Sequence, residues 1–175
     1  MPHAVICAYA RSAFTPAVKG ELARTRPDEL LALVIAELVA RSGVNVSDIE
    51  DVLAGCAFPE GEQGFNIGRM SALLAGLPQT VAGATVNRFC GSSMEAIHTA
   101  AGKIMLGAGE VFVACGVESM TRIPMGGFNP SPSPKLYGAL PAAYMSMGLT
   151  AEHLCKQFDI PRKAQEAFTL ASHQK

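Results

Sequence analysis

Tryptophan is missing from the sequence, aromatic residues make up 6% of it, and only 17% of its 175 positions carry a charge. The 14 Lys and Arg are scattered among 15 Asp and Glu, for a net charge of -1, and form no basic stripe on any one segment. That argues against nucleic acid as a partner. No apolar run approaches the ~20 residues that cross a bilayer, and the N-terminus lacks a signal-peptide pattern. The reading is a soluble intracellular protein with no membrane span, cytoplasmic or organellar. The five cysteines, Cys7, Cys56, Cys90, Cys115 and Cys155, include no C-x-x-C pair to hold zinc or cycle as a dithiol. Free thiols in a reducing compartment follow. No internal repeat is visible.

What is present is apolar. Residues of that class make up 49% of the chain, more than a small domain with a wet surface needs, so part of the surface is expected to meet another polypeptide. A chain of this length buries one core, or one domain and an unfinished second, but not a complete two-domain enzyme.

Short β-prone runs alternate with helical patterns, which predicts an α/β domain with a mixed, mostly parallel sheet covered by helices. Strands are expected at Ala4 to Tyr9, Ile49 to Cys56, Val81 to Asn87 and Val111 to Cys115. A helix follows Pro27, with Asp28 and Glu29 in its first turn and Gly43 just past its end. Another runs from about Asn66 to Leu74. A third begins at or just after Cys90, with Met94, Ile97, Ala101, Ile104 and Met105 along one expected apolar face. From Met120 to Met147, Pro and Gly interrupt any period, so this reads as a long irregular cover or linker, with Pro130 to Pro134 as a polyproline II spacer. Helices are expected at Thr150 to Phe158, with Thr150 as N-cap, and at Arg162 to Lys175. The division by composition is residues 1–118 as a core domain and 119–175 as the start of a second, incomplete one.

Cys90 stands out among the cysteines. It sits on a sharp strand-to-helix turn and is followed by Gly91, Ser92 and Ser93, small residues that let a substrate approach the sulfur. At a helix start the unpaired N–H groups and positive dipole end favour thiolate over thiol and can hold a developing oxyanion. Cys7, Cys56 and Cys115 fall in strand patterns and Cys155 on a helix without a motif, all consistent with inert packing. His98 lies eight residues on, roughly 12 Å along a helix at ~1.5 Å per residue, too far to serve Cys90 as base. His3, His153 and His173 lie outside any catalytic pattern. A nucleophile is present without its base.

Val86-Asn87-Arg88-Phe89-Cys90-Gly91-Ser92-Ser93 resembles the acyl-enzyme cysteine motif of thiolases. Gly116-Val117-Glu118-Ser119-Met120-Thr121 with Pro124 resembles that family's turn after the fourth strand. Met147-Gly148-Leu149-Thr150-Ala151-Glu152 resembles its substrate loop, and Ile160 to Ser172 the helix beyond it. Glu62-Gln63-Gly64-Phe65-Asn66-Ile67 and Ser93 look more like degradative 3-ketoacyl-CoA thiolases than biosynthetic ones.

The resemblance implies a thiolase-like fold, with residues 1–118 as an N-terminal core domain lacking its last strand and 119–175 as the start of an incomplete loop domain, and ping-pong acyl transfer between a 3-ketoacyl-CoA and CoA through a Cys90 thioester. CoA and acyl-CoA are then substrates, with no permanently bound cofactor and no metal. It further implies a backbone N–H of Cys90 at one oxyanion site, and Met147 lining the acyl and pantetheine pocket. Ser146 stands where many relatives carry His. The activating histidine and second cysteine belong to a C-terminal half that this chain lacks, so the chain alone is expected to be inactive. Partners implied are that missing half, a homodimer or tetramer, and a β-oxidation complex. The competing readings are a biosynthetic thiolase, a 3-ketoacyl synthase and a non-catalytic assembly subunit. Arg122, Lys135, Arg162 and Lys163 are either CoA-phosphate contacts or ordinary solvated charges.

Overall fold

The computed structural model describes residues 3–175. Contacts divide the chain into two units, Met1–Asn129 and Pro130–Lys175.

The first unit is built on a parallel sheet of three short strands, β1 (Asp51–Gly55), β2 (Ala82–Val86) and β3 (Phe112–Gly116), in the order β2-β1-β3. β1 is central and buried along its whole length, pairing Leu53 with Ala84 on one side and with Ala114 on the other. A strand covered on both faces needs an unbroken apolar run, which Val52-Leu53-Ala54 supplies. Alternation then sorts the side chains. Val52, Ala54, Cys56 and Val113 join Leu31, Ile35, Ile67 and Val81 in one core, under α1 (Pro27–Ser42) and α2 (Ile67–Leu74). Leu53 turns the other way, onto Ala96 and Ala100 of α3 (Ser92–Met105).

α1 is punctuated as its sequence predicts, with Pro27 in its first turn, Asp28 and Glu29 beside it and Gly43 closing it at φ +70°. α2 starts from Asn66, whose side chain donates to the Gly83 carbonyl at 2.7 Å and accepts from Thr85 Oγ1 at 2.9 Å, tying the helix start to β2.

Three expectations are corrected here. Residues 4–9 form no strand: Val5 and Ile6 are 73% and 78% exposed. A β-prone run becomes a strand only beside another strand whose N–H and C=O groups it can satisfy, and β1, β2 and β3 do not pair with it. The face of α3 that packs on the sheet is Ser92, Ala96 and Ala100, four residues apart, while Met94, Ile97 and Met105 are exposed and Ala101 and Ile104 half-buried. Close approach between helix and sheet selects small side chains, so the bulkiest stripe is not the buried one. Cys7 is exposed and outside any strand.

The second unit holds α4 (Pro134–Ala139), a 3-10 turn at Pro141–Tyr144, α5 (Met147–Gln157) and α6 (Arg162–His173). None of its residues is buried among those described. The segment expected to be irregular thus contains a helix, because Pro134 falls in a first turn, where its missing N–H costs nothing, and Ser133 caps it by accepting from Leu136 N. α5 begins three residues before the expected Thr150. Its cap is Ser146, which accepts from Leu149 N, whereas the Thr150 hydroxyl donates back to the Ser146 carbonyl. The rings of Tyr137 and Tyr144 stack with centroids 6.2 Å apart. No described helix is long and apolar enough to cross a membrane.

Candidate active site

β2 ends at Val86 and α3 begins at Ser92, leaving five residues to reverse the chain at the carboxyl end of the sheet. Such a short reversal forces strain, and it falls on Phe89, at φ +46°. A bulky residue in the left-handed region is uncommon and persists only where surrounding bonds over-determine it. Here they do. Phe89 N–H donates to Asn87 Oδ1 at 2.9 Å, while the Phe89 carbonyl accepts from the N–H and hydroxyl of Ser92. The Ser92 hydroxyl in turn accepts from Arg88 N–H at 2.9 Å. Arg88 pairs with Glu95 at 2.8 Å, closing the turn over the first turn of α3.

Cys90 follows Phe89 directly and is exposed, one residue ahead of the helix N-cap, Gly91. The Cys90 N–H is the donor expected at an oxyanion site; the next two along the chain, those of Gly91 and Ser92, are engaged by the carbonyls of Arg88 and Phe89. The helix dipole still points its positive end at the Cys90 turn.

Two glycines let the turn sit where it does. A Cβ on Gly55, at the end of β1, would come closer than 3.0 Å to backbone atoms of Ser92 and Ser93. One on Gly116, at the end of β3, would collide with Ser93 Oγ. The start of α3 therefore rests directly on two strand ends.

Beneath the turn lies a polar cluster that sequence reasoning missed. Glu118 Oε2 accepts from Ala57 N–H at 2.7 Å, and its Oε1 accepts from Gln63 Nε2 at 2.6 Å. The fully buried Gln63 also donates to the Phe58 carbonyl at 2.8 Å and accepts from Ser119 N–H at 2.7 Å. Ala57 offers its carbonyl to Asn87 Nδ2 at 2.9 Å, and the Phe58 ring packs against Phe89 with centroids 6.0 Å apart. Both residues stand in segments that carry the family resemblance, but nothing in those segments pairs Gln63 with Glu118, which follows β3 by two residues.

Burial pushes the Cys56 thiol up to about 12, with the nearby Glu118 charge adding to it, and burial alone raises Cys115 to about 12. An unfolded thiol ionises near ~8.5 to 9, so above that pH the unfolded chain gives up protons that the folded chain keeps. The stability these thiols contribute is whole below about pH 9 and is lost as pH rises toward 12, at about 1.4 kcal/mol per pH unit for each thiol. Urea midpoints followed from about pH 8 to about pH 11 test this, and a flat profile would contradict it.

The remaining candidates fall elsewhere. His98 is exposed on α3, and His3, His153 and His173 are exposed as well. Ser146 and Met147 lie in the second unit, the first as the cap of α5 and the second exposed in that helix's first turn. Arg122 is held by Glu62 through two hydrogen bonds, which keep the Glu62 carboxyl below its ordinary range, and Arg26 approaches the same carboxylate at 3.3 Å. Glu62 and Arg122 border a cleft of about 300 Å³ with Ala23, Gly61, Thr121 and Phe128. Arg162 pairs with Glu166 within α6. Among the described residues no three His, Cys, Asp or Glu gather to hold a metal.

Chemically, the arrangement presents one accessible thiol on a rigid turn at a helix start. Residues 4–175 match the family described as thiolase, N-terminal domain. The chain is 46% identical over 174 residues to a 3-ketoacyl-CoA thiolase of Bacillus subtilis, covering 99% of this chain and 44% of that protein. It is 45% identical over 166 residues to a 3-ketoacyl-CoA thiolase of Acinetobacter baumannii, covering 94% and 42%. The crystal structure of the Bacillus anthracis acetyl-CoA acetyltransferase superposes with a TM-score of 0.81 at 35% identity, over 97% of this chain and 45% of that one. The chain spans less than half the length of these relatives.

Proposed function

The chain belongs to the thiolase family, as its N-terminal domain, and on that premise we propose that Cys90 is the acyl-carrying nucleophile of a protein that moves acyl groups between 3-ketoacyl-CoA and CoA. The observation that carries this reading is the exposed Cys90 sulfur beside the strained Phe89, at the start of α3. Strain of this kind is stored where a reactive group must be presented rigidly.

In the proposed sequence the Cys90 thiolate attacks the C3 carbonyl of the 3-ketoacyl-CoA, and the carbonyl electrons move onto oxygen. Collapse of that oxyanion breaks the C2–C3 bond, and the departing carbanion takes a proton to leave as acetyl-CoA. The acyl group stays on sulfur as a thioester. The thiolate of free CoA then attacks the thioester carbonyl, releasing the shortened acyl-CoA and the Cys90 thiolate. The residues that take and return the protons come from outside these 175 residues, which is why the chain alone is proposed not to turn over. Ser146 and Met147 are proposed to line the acyl and pantetheine path. CoA thioesters are the substrates, without a resident cofactor, in a cytoplasmic homo-oligomer serving β-oxidation.

The names of the Bacillus subtilis and Acinetobacter baumannii relatives support the degradative direction. The acetyl-CoA acetyltransferase likeness supports the reverse condensation of two acetyl units as a second reading. Relative rates on acetoacetyl-CoA and on longer 3-ketoacyl-CoAs separate them.

The test is to incubate the full-length protein with a 3-ketoacyl-CoA in the absence of free CoA, digest it, and weigh the peptides. The acyl mass is expected on the peptide containing Cys90 and is expected to leave on adding CoA. An acyl group found only on another residue, or none at all, overturns the proposal.

A further inference from the structure

We propose that Glu118 and Gln63 are positioning residues: together they fix the 56–58 segment as a template against which the Asn87–Cys90 turn is held. This rests on the reading of Cys90 as nucleophile.

The connection can be followed bond by bond. Glu118 leaves β3 two residues after its end, while Gln63 lies in a separate loop, 55 positions earlier. Their side chains meet over residues 57 and 58, where Glu118 takes the Ala57 N–H and Gln63 supplies the donor for the Phe58 carbonyl. Those two residues in turn make the contacts that shape the turn. The Ala57 carbonyl receives Asn87 Nδ2, and the other end of the same Asn87 amide receives Phe89 N–H. The Phe58 ring backs the Phe89 ring. The residue carrying the positive φ is therefore held through Asn87 and Phe58, and both depend on Glu118 and Gln63 for their footing. Cys90 is the next residue.

The donor and acceptor pattern explains why a carboxylate stands at position 118. Both its oxygens face N–H groups, and hydrogen bonds to a charged acceptor are roughly twice as strong as neutral ones. Glu118→Gln keeps the shape but turns one acceptor into a donor, which must then face Ala57 N–H or the Gln63 amide. Flipping Gln63 does not relieve the clash: it would set the Gln63 oxygen against the Phe58 carbonyl and its NH2 against Ser119 N–H. No arrangement of the two amides satisfies every partner, so the 56–58 segment must shift.

Neither side chain is a contact of Cys90 itself, so the expected signature is misplacement of the sulfur, not loss of substrate binding. Misplacement of a reacting group by about 1 Å costs up to about 100-fold in rate. In the full-length protein, Glu118→Gln is expected to lower kcat by about 10- to 100-fold with KM changed less than about twofold. The rate of Cys90 alkylation by iodoacetamide at fixed pH is expected to change as well, because the sulfur is presented at a different position on the turn. Glu118→Asp, which keeps the charge but withdraws it by one methylene, is expected to fall between the two, and it decides the matter if Glu118→Gln does not fold. All rates are compared below each variant's own melting midpoint. A variant that melts lower yet keeps kcat and the alkylation rate of the parent shows a purely structural role and overturns the proposal, as does a variant with no change at all. Acyl transfer persisting in Cys90→Ala would defeat the underlying reading separately, whatever Glu118 does.

Discussion

Cys90→Ala in the full-length protein is expected to lower turnover by on the order of 10⁴-fold or more and to abolish the acyl adduct on the enzyme. The loss is large because no other described cysteine lies on this turn: Cys7 and Cys155 fall on other segments, while Cys56 is buried and Cys115 half-buried, the last two with thiols pushed up to about 12. The fold should not suffer. The Cys90 side chain is exposed, and the bonds that shape its turn run through Asn87, Phe89 and Ser92. Circular dichroism and the urea midpoint should match the parent, so a collapse of activity is assignable to chemistry. A variant that still accumulates acyl-enzyme, detected by intact mass, would remove Cys90 from the mechanism.

The second large effect is on stability. Gly55→Val places a branched side chain where even a Cβ would come closer than 3.0 Å to the backbone of Ser92 and Ser93. These are backbone atoms at a helix start, so no rotamer change can relieve the contact. The helix must lift from the end of β1, opening the Leu53–Ala96–Ala100 core beneath it. Overpacking costs typically 1–3 kcal/mol, and here about 3 kcal/mol or more is expected because the obstacle is main chain. Gly116→Val should do less harm, since the nearest atom its Cβ meets is the movable Ser93 Oγ and the nearest backbone atom, the Gly55 oxygen, stays 3.2 Å away. Urea unfolding of the two variants beside the parent reads the difference. Equal midpoints for Gly55→Val and the parent would mean that α3 does not rest on that strand end.

How much of this was legible in the sequence depends on whether the controlling contacts are local. The three strands were, because Val52-Leu53-Ala54 and its counterparts are apolar runs between turn residues. So was the Cys90 turn, from the small residues after the sulfur. Residues 4–9 have a strand's composition but no strand beside them, and composition does not report a neighbour. The buried face of α3 was misplaced for a related reason. Met94, Ile97 and Met105 mark the stripe with most apolar surface, while close packing on Gly55 and Leu53 calls for Ser92, Ala96 and Ala100. The sharp turn was expected at Cys90, but nothing in the sequence marked Phe89, one residue earlier, as its positive-φ residue. Gln63 with Glu118 could not be read at all, since the partners are far apart in sequence and meet only once β1 and β3 are side by side.

The bonds that set the shape around Cys90 come from residues 55–58, 63, 87–95 and 116–119, all in the first unit. Changes among residues 130–175 touch none of these bonds. Selection can therefore redraw that second stretch, insertions included, while the sulfur's own setting passes unaltered from one descendant to the next. Change within residues 130–175 and constancy in how the sulfur is held would then be recorded in different parts of one gene.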